Sequence, residues 1–445
     1  MSLELPLQFK ARMQEMLGDD ADKFFNAFLE NEHTGIRINS LKRGSLSAIK
    51  SVCGDMEPVL WCKNGYYADK KIISGKHPYH MGGLVYFQEP SAMAVVEALE
   101  ICEGDFVLDL CAAPGGKATQ AAEKLSETGI LVANEIIEKR AKILAENISR
   151  LGIKNSVVTN ETPSNLSKKY ANFFDKIIVD APCSGEGMFR KDIKALTEWS
   201  AEHTMSCALR QKKILADAVK MLKGGGKLVY STCTFAPCEN EGVVDWVLSN
   251  YPEMRLEKIT LNGLSDANGE WVNSKYDLSG AKRIFPHISK GEGHFLALFK
   301  KKGTESAKKQ AQNPSKIAEE YRKFERENLN VKLNGEIISF GERLFLMPYG
   351  INIDKIKSEL AGLFLGTAKK GRFIPSHSLC LALEKGDFKR SAEISFKDAE
   401  RFFHGETIET NAVGWTAVTY GGFPIGWGKG TDGVLKNHFP KNLRF

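Results

Sequence analysis

No apolar stretch in this 445-residue chain approaches the ~18 residues of a membrane span. Met1 to Lys10 shows no apolar core of the kind a secretory signal carries. Cysteine is sparse: nine residues, odd in number and scattered, with no Cys-x-x-Cys pair and no tight Cys/His cluster. That argues against a disulfide framework or a structural zinc and for reduced thiols, so cytoplasmic residence is the expectation. His77 and His80 flank Pro78, which breaks helical spacing, and no partner cluster lies near them; no metal site is expected. Internal repeats and extended low-complexity runs are missing too. Strong charge of one sign is also lacking. A net charge of +6 is compatible with nucleic acid but is weak evidence alone.

What is present is an ordered alternation. Residues 6–30 read as helices with an apolar face of Phe9, Met13, Leu17, Phe24, Phe25 and Phe28. A short strand at 35–39, a helix at 45–52 with Ser45 as its cap, and a strand at 60–68 complete a small α+β module, residues 1–70. Residues 71–300 then alternate strands (106–110, 130–134, 156–159, 176–180, 227–231, 294–299) with helices (91–99, 117–125, 138–151, 206–222, 241–248). Gly224-Gly225-Gly226 reads as a turn. Such alternation predicts an α/β domain with a mostly parallel sheet covered on both faces. The polar, basic stretch 301–316 reads as a linker, and 317–445 as a separate domain rich in short strands and glycine.

Asp109-Leu-Cys-Ala-Ala-Pro-Gly-Gly-Lys117 ends a strand and opens a helix. Gly115 and Gly116 let backbone approach a ligand closely. Glu135, at the end of the next strand, is placed to accept hydrogen bonds from ribose hydroxyls. The third glycine of a dinucleotide fingerprint is missing, which disfavours a nicotinamide cofactor. An acid before the turn and another after it suit S-adenosylmethionine, which has an ammonium, a sulfonium and a ribose but no phosphate.

Asp180-Ala-Pro-Cys183 and Ser231-Thr-Cys233 each follow an apolar strand. Strand C-termini in open α/β sheets face the ligand crevice. Asp109, Glu135, Asp180, Cys183 and Cys233 should therefore converge on one rim. Methylation of pyrimidine carbon 5 needs such a set. That carbon becomes nucleophilic when a thiolate adds to carbon 6, and an acid at ring nitrogen 3, a place for Asp180, stabilises the adduct.

Three motifs, 109–117, 180–185 and 231–234, resemble those of the Nop/Sun family of RNA 5-methylcytosine methyltransferases. Arg37-Ile-Asn39, Gln88 to Met93 and Gly185 to Lys191 are similar to it as well. The resemblance implies a class I, Rossmann-like methyltransferase domain behind an N-terminal RNA-binding extension. It implies Cys233 as nucleophile and Cys183 as the thiol that helps release the product. It also implies cofactor contacts from Cys111, Ala112, Ala113, Pro114, Gly115, Gly116, Lys117, Glu135 and Asp180. The family's further acidic contact falls on Asn160 or, one residue on, Glu161. Arg372 to His377 and the 415–444 end resemble the RsmF-type 16S ribosomal RNA methyltransferases, which carry a PUA-like domain there. The expected partner is then RNA, first the ribosomal RNA of the small subunit or its assembly intermediate. A transfer RNA target and a non-catalytic ribosome-assembly factor are the alternatives.

Arg190, Lys191, Lys194 and Arg210, with Lys42 and Arg43, are candidates for pairing phosphates. Solvated surface charge is the alternative for each. Phe423 and Trp427 either stack on bases or pack a small β-domain.

Overall fold

The structure, a computed structural model, describes residues 4–126, 128–304, 318–369 and 371–445. Most of the expected linker, 301–316, lies outside them. Among the described residues no helix is long and apolar enough to cross a membrane.

The N-terminal helices, Leu7–Leu17 and Ala21–Ala27, bury Phe9, Met13 and Phe24 as their spacing requires. A three-stranded sheet follows: β1 (Gly35–Ile38) lies between β2 (Gly65–Tyr67) and β3 (Val85–Phe87). The strand expected at 60–68 is only this short β2, because turns at 59–65 consume the rest. The sheet also runs past the expected boundary at residue 70, since β3 completes it. Ser45 does not cap its helix. Gly44 precedes that helix in the left-handed region, where a residue without Cβ is unstrained, and the Ser45 hydroxyl donates to the Asn39 carbonyl at 2.8 Å.

The central sheet begins with β4 (Phe106–Asp109), β5 (Ile130–Asn134), β6 (Ser156–Thr159), β7 (Phe174–Asp180) and β8 (Leu222–Thr232). β4, β5 and β6 are buried at every position, so they read as unbroken apolar runs rather than alternating ones. The parallel order is β6-β5-β4-β7-β8. The chain builds outward from β4 to β6, then crosses back to lay β7 on the other side of β4. A crevice opens where such an order reverses, at the strand C-termini. Gly224 to Gly226 form no turn; they belong to β8, where the register against β7 shifts and Gly225 takes a φ of +82°.

The sense of the chain then reverses. β9 (Met254–Glu257), β10 (Ser265–Asp266) and β11 (Lys282–Ile284) lead to β12 (His294–Lys301), which runs antiparallel to β8. Beyond the undescribed stretch, β13 (Glu336–Phe340), β14 (Arg343–Met347), β16 (Leu363–Lys369) and β17 (Arg372–Pro375) form a four-stranded sheet. Between them β15 (Ser358–Ala361) leaves that sheet and pairs antiparallel with β6. β18 (Ser391–Glu393), β19 (Ile408–Glu409), β20 (Gly414–Tyr420), β21 (Phe423–Thr431) and β22 (Val434–Asn437) form a last, five-stranded sheet.

Candidate active site

β7 and β8 pair in parallel with Asp180 opposite Ser231. Their loops therefore leave the sheet in step. Cys183 is three residues past the pairing point and Cys233 two past it, and their sulfurs come to 3.4 Å of each other. Antiparallel β12 starts where β8 ends, with Phe295 opposite Thr232, which brings His294 to the same rim.

Asp180 is the hub of this rim. Lys117 Nζ donates to its Oδ2 at 2.8 Å, and the Ser231 hydroxyl to its Oδ1 at 2.7 Å. His294 Nε2 stands 3.5 Å from the same Oδ1. Burial alone raises a carboxyl pKa, but the Lys117 ammonium and His294 outweigh it and hold Asp180 below the ordinary carboxylate range. Lys117 responds in kind. Burial would lower it, yet the Asp180 charge and the Cys233 sulfur keep it raised and cationic. The Cys183 thiol is pushed well up, first by its hydrogen bond with Cys233 and then by burial. Cys183 is thus held as a protonated thiol near neutral pH.

Asp109 ends β4, fully buried, and neither of its carboxyl oxygens has a hydrogen-bond partner among the described residues. Burial first, then the Asp180 and Glu135 charges, lift it to about 8, although Lys117 and the Cys111 amide, too poorly aligned to make a full hydrogen bond, pull the other way. An orphaned buried carboxyl is costly unless a ligand supplies a donor. The turn beyond it is held from outside. Arg140 donates to the Ala113 carbonyl at 2.8 Å, Asn147 to Pro114 at 3.0 Å, and Arg37 to Gly116 at 2.7 Å. Ala112 donates to the Asn134 carbonyl at 2.8 Å. Gly115, at φ +120°, turns the chain into the helix Gly116–Leu125. Cys111 sits inside this turn with its thiol raised well above the usual value, by burial and then by Asp109. Glu135 is buried, takes the Ile137 amide at 3.0 Å and pairs with Arg140 at 3.2 Å. Asn160 packs against it, donating to the Glu135 and Ile136 carbonyls at 2.8 and 2.9 Å. Glu161 turns away, accepting from Lys357 N and from Asn165. Of the two, Asn160 lies at the rim. Orphaned Asp109, a backbone turn closed by Gly115 and Gly116, and acid Glu135 on the next strand fit a ligand with an ammonium and a ribose. S-adenosylmethionine is such a ligand.

The N-terminal helices buttress both thiol loops. Phe9 stacks edge-on against Phe189 at 5.2 Å and Phe24 against Phe235 at 5.0 Å. Arg12 pairs at 2.7 Å with buried Glu186, which also takes the Phe235 amide at 3.0 Å. Several expected RNA contacts are spent on the fold instead. Arg190, only partly exposed, donates to Glu292 at 2.5 Å and to the Ala27 carbonyl, and Lys191 pairs with Glu292 at 3.1 Å. Lys42 is buried on the Leu381 carbonyl. Arg43 lines a groove with Ser126 and Asn155, at the strand N-termini, the far end of the sheet from the thiols. Lys194 and Arg210 remain exposed. Trp427 is core, its Nε1 donating to Ser376 O at 2.9 Å, whereas Phe423 is only partly covered. His77 caps a short helix through its own ring, and among the described residues no group of metal-ligating side chains gathers. Sequence reasoning missed Ser231, His294 and Glu239 as site neighbours. Ser231 was in a quoted motif, but only strand register shows what it touches.

This arrangement has counterparts. Four family models match in succession: "N-terminal domain of 16S rRNA methyltransferase RsmF" over 5–90, "16S rRNA methyltransferase RsmB/F" over 96–300, "RsmF rRNA methyltransferase first C-terminal domain" over 323–383 and "Methyltransferase RsmF PUA domain" over 389–445. The chain is 33% identical to the ribosomal RNA small subunit methyltransferase F of Shewanella piezotolerans, across 92% of this chain and 90% of that one. It is 30% identical to its namesake from an Enterobacter species, across 99% and 96%. Among solved structures, a methyltransferase homologue from Pyrococcus horikoshii superposes with a TM-score of 0.60 at 28% identity, over 67% of this chain and 96% of that one. A switch-point crevice, two thiol loops in step and four successive domain matches over nearly the full length lead to one assignment: the chain belongs to the RsmB/F family of 16S rRNA methyltransferases, with the N-terminal and PUA domains of its RsmF members.

Proposed function

We propose that this protein methylates carbon 5 of a cytosine in the 16S ribosomal RNA of the small subunit, in the cytoplasm, through a covalent thioether to Cys233. The observation that carries this reading is the pair of thiols 3.4 Å apart beside the ion-paired Asp180. S-adenosylmethionine, when bound, supplies the methyl group on its sulfonium. Asp109 would hold its ammonium, Glu135 its ribose, with Asn160 beside Glu135 and the backbone of 111–117 walling the site.

The protein's own residues do the rest. The Lys117 ammonium stands close enough to the Cys233 sulfur to stabilise negative charge there, whereas the Cys183 thiol is pushed well up. The thiolate adds to carbon 6, and the displaced electron pair makes carbon 5 nucleophilic. Cytosine offers an amine donor beside the ring nitrogen 3 acceptor. Ionised Asp180 accepts from the first, and Lys117, 2.8 Å from it, donates to the second. Asp180 held charged is an acceptor, so the proton toward ring nitrogen 3 comes from Lys117. Uracil reverses both partners, and a site that leaves buried groups mismatched rejects it strongly. After methylation the carbon 5 proton passes to a base, the carbon 6–sulfur bond breaks and Cys233 leaves as thiolate. Cys183 stands beside that sulfur and assists its departure.

The test is transfer from labelled S-adenosylmethionine to purified small subunits and to naked 16S RNA, with the modified base identified by mass spectrometry. The expected product is 5-methylcytosine, absent with Cys233→Ala and trapped as a protein–RNA adduct with Cys183→Ala. Label on transfer RNA alone would move the substrate, and label on no RNA would sink the catalytic reading.

A further inference from the structure

Cys183 is held from both sides by groups that answer to one buried carboxylate. On one side Ser184 donates to Glu239 twice, from its backbone N to Oε2 at 3.0 Å and from its hydroxyl to Oε1 at 2.5 Å. On the other, Gln211 donates to the Pro182 carbonyl at 3.1 Å and to Glu239 Oε2 at 2.8 Å. Glu239 belongs to the loop that carries Cys233, six residues upstream. One carboxylate therefore ties the loop of the second thiol to the loop of the first.

Glu239 is fully buried, and among the described residues no cation pairs with it. A buried carboxylate without a counter-charge is costly, and apolar packing would stabilise the fold better. Rules of packing broken beside a reactive centre point to function. Burial lifts the group to about 7, while the Ser184 and Gln211 donors resist that rise.

We propose that Glu239 is a positioning residue: through Ser184 and Gln211 it sets the Cys183 thiol against Cys233 and thereby governs release of the methylated RNA. This rests on the covalent mechanism above. Without the clasp, Cys233 still adds and the methyl group still arrives. Cys183 then drifts from the departing sulfur, and a misplacement of an ångström slows a step on the order of 100-fold.

The experiment compares Glu239→Ala, Glu239→Gln, Cys183→Ala and the double variant Cys183→Ala/Glu239→Ala. Folding is checked by thermal melting and S-adenosylmethionine binding. With Glu239→Ala, one methyl group per enzyme transfers at near wild-type rate. Steady turnover then falls on the order of 10–100-fold, and a denaturant-resistant protein–RNA adduct accumulates. Glu239→Gln restores most turnover, because its amide oxygen can still accept from Ser184 N and Gln211 Nε2 while its amide nitrogen donates to the Ser184 hydroxyl, which can turn its own proton to Thr234 Oγ1. The double variant is no slower than Cys183→Ala, since both lesions act on one step. Free release by a folded Glu239→Ala, or additive losses in the double variant, overturns the proposal. If Glu239→Ala does not fold, Gln211→Leu releases the Pro182 side and must trap adduct by itself; no adduct there overturns it equally. Absence of adduct with Cys183→Ala is a different failure, of the covalent mechanism, and takes the inference down with it.

Discussion

Asp109 and Asp180 are the same side chain at the ends of neighbouring strands, and their surroundings separate them. Asp180 has Lys117 and Ser231 and stays ionised; Asp109 has no partner and is lifted to about 8. Pairs of carboxyls pushed apart in this way mark divided tasks. A ligand ammonium beside Asp109 favours its charged form, so binding should expel a proton. Affinity for S-adenosylmethionine is then expected to rise by roughly tenfold per pH unit well below about 8, and to fall again above it as the ligand's own ammonium loses its proton. Calorimetry in buffers of different ionisation enthalpy measures the proton directly. Asp109→Asn should weaken binding and flatten the slope; an equal slope in both proteins would dismiss the assignment.

At the scale of elements, Arg37 shows how a strand of the first sheet sets up the turn of the second. It leaves β1 fully buried and donates to the Gly116 carbonyl, Gln88, Thr119 Oγ1 and Glu123, the last at 3.0 Å. Arg37→Met leaves Glu123 buried without its charge partner, a loss of about 3–5 kcal/mol. The expected result is a lower melting temperature together with weaker cofactor binding, because the turn and the module unfasten together. Arg37-Ile-Asn39 was legible as a motif, but what Arg37 holds was not. Its role emerges only from what lies 79 residues ahead, at Gly116. The same holds for Arg190: a cation next to the thiol motif reads as a phosphate partner until Glu292 and the Ala27 carbonyl are seen around it.

At the scale of the whole molecule, β15 carries the sheet across the expected domain boundary. It covers the β6 edge, and Leu360 and Ala361 join the core of the catalytic sheet. A chain ending at Gly303 would expose the Val157–Val158 edge of β6, an invitation to strand pairing between molecules. Such a chain is expected to aggregate in size-exclusion chromatography even though every proposed site residue is present. RNA affinity belongs to this scale too. Lys194→Ala and Arg210→Ala should each weaken RNA binding and reduce the salt dependence by about one charge. Arg190→Ala should instead lower the melting temperature. Filter binding across a salt series separates the two outcomes.

The sequence by itself determined the strands of the central parallel sheet, their alternation with helices, the glycine turn and the acids and thiols at strand ends. Those features are local: buried parallel strands are continuous apolar runs, and a close-approach turn needs glycine at its own position. Tertiary structure decided which of those residues meet. The β7–β8 register put Cys183 beside Cys233, antiparallel β12 delivered His294, and burial of Lys42 and Trp427 and the pairing of Arg190 with Glu292 turned candidates for RNA into supports of the fold. Register and burial depend on partners distant in the chain, and no local pattern of charge or apolar spacing encodes them.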